Sequence, residues 1–143
     1  MRSLLLLSFL FLQFFYSCKG NNDEQKAAPS ENDVDAARNF IRSALDGDYS
    51  KARTYMLKDS SNTDLLDAYE NIYQHRMSKE DKRGYREATI NMNEVRPVND
   101  SITVVNYSNS FKKKKDSLKI VKLKGQWLVD FKYSFQSKEP LKK

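Results

Sequence analysis

From Asp33 onward the apolar positions recur with a helical period. Val34, Ala37, Phe40, Ile41, Ala44 and Leu45 fall on one face of a predicted first helix. Gly47 supplies a stop and Asp48 an N-cap for a second, short helix carrying Tyr49, Ala52, Tyr55 and Met56. Thr63 is the expected cap of a third helix, with an apolar stripe of Leu65, Leu66, Tyr69, Ile72, Tyr73 and Met77. Ser78 with Asp81 three residues on resembles a capping box for one more turn, ending around Gly84. After Glu87 the period falls towards two. Ala88, Ile90 and Met92 alternate with polar residues, and three further runs follow at 101–111, 117–123 and 126–135. Pro97 with Asn99-Asp100, then Lys112 to Lys115, then Lys124-Gly125 mark the expected turns. Gly125 suits a positive φ in a tight hairpin, and a one-residue slip there would exchange the faces of Val121 and Leu123. Helices first and a strand meander afterwards predict an α+β domain over 33–135, with the N-terminal helices packed on one face of a curved four-stranded antiparallel sheet. Residues 136–143 form a basic C-terminal tail.

The N-terminus follows other rules. From Leu4 to Tyr16 only Ser8 and Gln13 are polar. That run is too short to span a bilayer, which takes about 20 apolar residues. Arg2 before it and the small Ser17 after it are marks of a signal peptide, residues 1–17. Phe15-Tyr16-Ser17-Cys18 resembles the lipobox of bacterial lipoproteins, which implies lipidation (a palmitate-type anchor) of Cys18 as the first mature residue. A free thiol or an intermolecular disulfide at Cys18 is the alternative. Cys18 is the single cysteine, so neither an intramolecular disulfide nor a cysteine-based metal site can form. Residues 18–32 are polar, hold Gly20 and Pro29, and read as a flexible tether reaching about 20 Å.

Charge changes the picture less than its sign suggests. Lys and Arg number 25 against 19 Asp and Glu, a net +6 for the whole chain. Basic composition often points to nucleic acid. A membrane-anchored protein of the bacterial cell envelope, on its periplasmic or surface side, seldom meets any, so no nucleic-acid partner is expected.

The run AARNFIRSALDGDYSKARTYM, the long helix after it and a sheet ending in VKLKGQWLVD resemble small bacterial lipoproteins with a nuclear-transport-factor-2-like, cystatin-like cone domain. They are most similar to domain-of-unknown-function family 4878. The features that carry the likeness are Phe40, Ala44, Leu45, Gly47, Asp48, Tyr49 and Ala52 at the helical bend, with Gly125 and Trp127 at the last hairpin. The resemblance implies a cone-like fold and no particular chemistry, because this superfamily holds enzymes, binding modules and assembly domains.

Candidate chemistry is sparse. The sole histidine, His75, lies about 140° from the centre of the third helix's apolar stripe, so it is expected to face solvent. Arg76 falls near the stripe and is either a side chain snorkelling off the helix end or an anion-binding group in a cone pocket. Asp130 alternates with Val129 and Phe131 and is either an exposed strand residue or a pocket base. Tyr73, Trp127, Tyr69 and Phe131 are core candidates first and cavity-lining candidates second. Lys112, Lys113, Lys114 and Lys115 form either a solvated turn or a contact for anionic headgroups. No metalloprotease, dinucleotide, phosphate-loop or serine-triad motif occurs, and no metal or cofactor is expected. The expected function is therefore a non-catalytic binding or protein-interaction module, probed through an envelope protein partner or a small ligand. The domain is expected to be soluble and monomeric once freed of its anchor. The alternative is a small enzyme using the cone pocket. An enclosed pocket holding an ionisable group against apolar walls would favour the enzyme, and an exposed apolar patch the binding module.

Overall fold

Asn32 opens the first helix by accepting a hydrogen bond from the Asp35 N–H at 2.9 Å through its side chain. The computed structural model describes residues 28–136. The signal peptide, Cys18, most of the tether and the tail beyond Gln136 lie outside the described residues. Helix α1, Asp33–Asp46, ends at Gly47, whose φ of 80° lets the chain reverse. Helix α2, Tyr49–Thr54, is capped by Asp48, which accepts from the Lys51 N–H at 2.9 Å. Helix α3, Ser60–His75, starts earlier than expected. Asp59 is its cap, accepting from the Asn62 N–H at 3.0 Å, while Thr63 sits inside the first turn and donates its hydroxyl to the Asp59 carbonyl. Polar Ser60-Ser61-Asn62 has the composition of a loop, but Asn62 is fully buried and anchors this end. Helix α4, Lys79–Glu87, runs past Gly84, which serves as the bed for the Phe111 ring rather than as a stop: a Cβ there would lie 2.5 Å from that ring.

Four strands follow: β1 Ile90–Asn99, β2 Ile102–Asn109, β3 Lys115–Leu123 and β4 Gln126–Asp130. They form one antiparallel meander in the order β1-β2-β3-β4. Pro97 lies within β1, opposite Thr103, and not in the turn. An edge strand tolerates it because one side of β1 has no ladder to donate to. Residues Asp100-Ser101 make the first turn, and Lys124 and Gly125, with φ of 50° and 80°, make the last. Strand β4 is shorter than expected. At Phe131 the chain leaves the ladder and turns into α5, Tyr133–Gln136, where the Ser134 hydroxyl donates to the Ser117 carbonyl at 2.6 Å.

The core lies between α1 and one face of the sheet. Val105, Leu118, Ile120 and Val129 share that face and meet Ala36, Ala37, Phe40 and Ile41 of α1. Each such aliphatic side chain contributes about 1.5–3 kcal/mol when fully buried. Helix α1 touches all four strands, whereas α3 packs chiefly on α2. The stripe on α3 is consequently buried only in part: Leu66 and Tyr73 are inside, while Tyr69 and Ile72 are each 43% exposed. The segment after α2 adds a short parallel bridge beside β4, with Leu57 N–H to Val129 O at 2.9 Å and Val129 N–H to Tyr55 O at 2.8 Å. The molecule is thus α+β, helices preceding a four-stranded antiparallel sheet.

Candidate functional site

Phe131 begins where β4 ends, and four aromatic rings gather around that change of direction. Its ring centroid is 5.2 Å from Phe40, 5.4 Å from Tyr69 and 5.4 Å from Phe135. Tyr69 and Phe135 are themselves 5.9 Å apart, edge to face. Phe40 and Phe131 belong to the core. Tyr69 and Phe135 are exposed, and Ile72 extends the same surface along α3. The arrangement is one continuous stack, rigid at its inner end and open at its outer end.

Polar groups border the stack. Tyr107 and Asp116 stand opposite one another across β2 and β3. Burial raises the Tyr69 phenol above its ordinary range, and the nearby Asp116 and Tyr85 raise it further. Tyr107 is pushed up in the same way, by burial first and then by Asp116 and Tyr69. Raised phenols stay neutral at physiological pH. They can donate or accept hydrogen bonds to a partner but are poor proton-abstracting bases, so this surface is equipped for contact more than for acid–base chemistry.

The residues singled out by sequence do not converge. Arg76 is exposed at the end of α3, where only its backbone N–H is engaged, with the Ile72 carbonyl. Tyr73 is buried edge-on to Tyr49 at 5.7 Å; its hydroxyl donates to the Asp46 carbonyl and accepts from Arg86 Nη1, each at 3.4 Å. Trp127 is half-buried at the last hairpin, with the Lys122 ammonium 5.4 Å from its ring. His75 is exposed.

Asp130 is neither an exposed strand residue nor a pocket base. It is 3% exposed and accepts from Lys119 Nζ at 2.7 Å, Lys132 Nζ at 2.9 Å and Asn62 Nδ2 at 3.3 Å. Burial alone would raise its pKa, but these three donors outweigh burial and hold the carboxyl below the usual carboxylate range. Lys132 also reaches Asp59 at 2.9 Å, and Asn62 Oδ1 accepts from the Lys132 N–H at 2.8 Å. The cluster staples the start of α3 to the end of β4. Strand alternation places Asp130 on the face away from Val129, where Lys132, its cross-strand neighbour Lys119 and the distant Asn62 seal it; nothing local to Asp130 announces Asn62.

The four-lysine run divides. Lys112 is held by Asp81 at 3.1 Å and lies 4.7 Å from the Phe111 ring. Lys113 and Lys114 are exposed in the turn, and Lys115 is the first residue of β3. Two surface clefts are both open to solvent. One, of about 470 Å³, is lined by Arg38, Asn39, Arg42, Ala88, Thr89 and Ile90; the other, of about 390 Å³, lies over Asn93, Glu94, Asn106 and residues 115–117. In the first, the Arg42 guanidinium donates to the carbonyls of Ala88, Arg86 and Tyr85 at 2.8, 3.1 and 3.2 Å and pairs with Asp46 at 2.8 Å. That cation is already committed to the C-terminal end of α4. Among the described residues no group of three His, Cys, Asp or Glu is placed to hold a metal ion, and no helix is long and apolar enough to cross a membrane.

Comparison of the chain with protein-family models, with curated proteins and with solved structures finds no match. Sequence reasoning named Tyr69 and Phe131 as core candidates first and cavity-lining candidates second, and took Phe135 only as the end of the last strand. The available signal was the apolar excess of the Phe131–Phe135 segment, which is long for a strand that ends at Asp130.

Proposed function

We propose that this chain is a bacterial lipoprotein anchored through Cys18, whose domain is a cone-like member of the nuclear-transport-factor-2-like group and acts in the cell envelope as a non-catalytic binding module for a protein partner. The observation that carries this is the aromatic stack that leaves the core at Phe131 and surfaces at Tyr69, Ile72 and Phe135. Rigid aromatic anchors of this kind dominate protein interfaces because they bury large area with little loss of side-chain freedom. The neutral phenol of Tyr69 beside them adds hydrogen-bonding capacity at the rim. The lipobox-like Phe15-Tyr16-Ser17-Cys18 supports the anchor and the address. No cofactor enters this reading.

Two measurements test it. A photo-crosslinking residue placed at Phe135 in living cells is expected to capture a discrete envelope protein, and the double change Tyr69→Ser with Ile72→Ser should abolish the capture while the domain stays folded. Capture that survives the double change, or none from Phe135, would remove the stack from the account. Labelled fatty acid is expected to enter the wild-type chain and not Cys18→Ala. Equal labelling of both would remove the anchor.

A further inference from the structure

The start of α1 fixes where the tether joins the domain. Asp33 accepts a hydrogen bond from the Thr103 hydroxyl, near the start of β2. The neighbouring residue Ile102 pairs with Asn99 on one side and Val121 on the other, and Ser101 O accepts from Lys122 N–H at 2.8 Å. The chain's entry into the fold, the Asp100-Ser101 turn and the Lys124-Gly125 turn therefore share one end of the sheet. The lysine turn lies at the other end, the length of β2 away, about 25 Å. There it is tied to the junction of α4 and β1, with Ser110 N–H donating to Thr89 O at 3.0 Å.

The entry end has an unusual surface. Val98 and Leu123, each 51% exposed, are the most exposed large hydrophobics among the described residues, and they sit in β1 and β3 beside the two turns. Exposed Lys122 and Lys124 flank them, with Asp100 as the acidic residue of the neighbouring turn. The half-buried indole of Trp127 lies beneath the Lys122 ammonium. Exposed aliphatics, an indole and long cationic side chains at one rim are the residue types that settle at a bilayer interface, where the apolar parts enter the headgroup boundary and the ammonium groups remain hydrated.

We infer that this hairpin-tip end is the membrane-facing end of the domain, with Val98, Leu123 and Trp127 meeting the phospholipid surface. The inference rests on the lipid anchor proposed above, because residues 19–27 and the short entry segment would hold this end nearest the acylated Cys18. Of the two roles expected of Lys112 to Lys115, it selects the solvated turn, pointing away from the membrane. It also leaves the Tyr69–Phe135 surface, which lies beside Asp116 and Ser117 towards the other end of β3, open to a partner.

Trp127 is the single tryptophan of the chain and serves as the probe. The whole protein, purified from the membrane fraction of the expressing bacterium, is reconstituted into phosphatidylethanolamine–phosphatidylglycerol vesicles with brominated acyl chains. Loss of most of the Trp127 fluorescence is expected, relative to vesicles without bromine. Val98→Asp combined with Leu123→Asp should restore the fluorescence while the protein still floats with the vesicles. Lys112→Ser, Lys113→Ser and Lys114→Ser together should leave the quenching unchanged. Vesicle-bound wild-type protein that is not quenched, or quenching that responds to the lysine changes and not to the tip changes, overturns the inference and leaves the anchor standing. Wild-type protein that does not float, or Cys18→Ala protein that floats equally well, overturns the anchor and this inference with it.

Discussion

Gly47 and Gly125 share a φ of +80°, yet they meet different surroundings. A Cβ on Gly125 would meet nothing within 4 Å, whereas one on Gly47 would lie 2.4 Å from the Tyr73 ring. Gly125→Ala is expected to cost about 1–2 kcal/mol from the left-handed backbone alone. Gly47→Ala should cost about 1–3 kcal/mol more, because overpacking displaces a buried ring. Urea melts of the two variants measure the difference, and equal losses would mean that Tyr73 yields freely. Asp130 makes the second prediction. Its folded pKa is depressed, so its stabilising contribution is complete above the unfolded value near 3.9 and is lost as pH falls through the lower folded value. Asp59, held low by the Asn62 N–H and then by Lys132, acts in the same direction. The urea midpoint of the wild type is expected to hold to about pH 4.5 and then fall, while Asp130→Asn starts lower at pH 7 and declines less steeply. Parallel acid limbs for the two proteins would show that Asp130 does not carry the effect. The αL glycines were legible in the sequence because turn chemistry is local. The full set of partners around Asp130 was not: Lys132 lies two residues on, but Asn62 lies 68 residues away.

Arg42 ties helix α1 to the end of helix α4. It covers the carbonyls of Arg86 and Ala88 at the end of α4 and shares that of Tyr85 with the Ala88 N–H. Arg42→Met keeps the length of the side chain and removes its donors. It is expected to cost about 1–2 kcal/mol, discounted for the partial exposure of the guanidinium. Hydrogen exchange should rise selectively at Tyr85 to Ile90. A uniform rise across the domain would mean that α4 has no separate opening. The periodicity of α1, the bend at Gly47-Asp48 and the existence of four strands could all be read from the chain, because each is written in neighbouring residues. Which helix lies across the sheet could not. The α1 and α3 stripes look alike as patterns, and only packing decides that α1 takes the sheet while Tyr69 and Ile72 of α3 remain outside. The same reasoning covers Pro97, whose place in an edge strand depends on β1 having a neighbour on one side only.

For the molecule as a whole, the described residues ahead of α1, 28–32, meet it through the Asn32 cap and a longer bond from Asn39 Nδ2 to Ser30 Oγ at 3.4 Å. A chain beginning at Pro29 is expected to unfold cooperatively, and one beginning at Asp33 to do the same with about 1 kcal/mol less stability for want of that cap. Denaturant melts of the two check this, and a molten product from either would place the domain boundary further upstream. The bridge from Met56 to Val129 and the packing of α1 on β4 have another consequence, in the time order of biosynthesis. At about 5–20 residues per second, the closing strand is made about 5–20 s after the helix that must lie on it. Until then α1 has only β1 to β3 to cover, and its contact with β4 and the Met56–Val129 bridge are missing. A polypeptide whose first helix must wait for its last strand completes its core only when its own synthesis is nearly done.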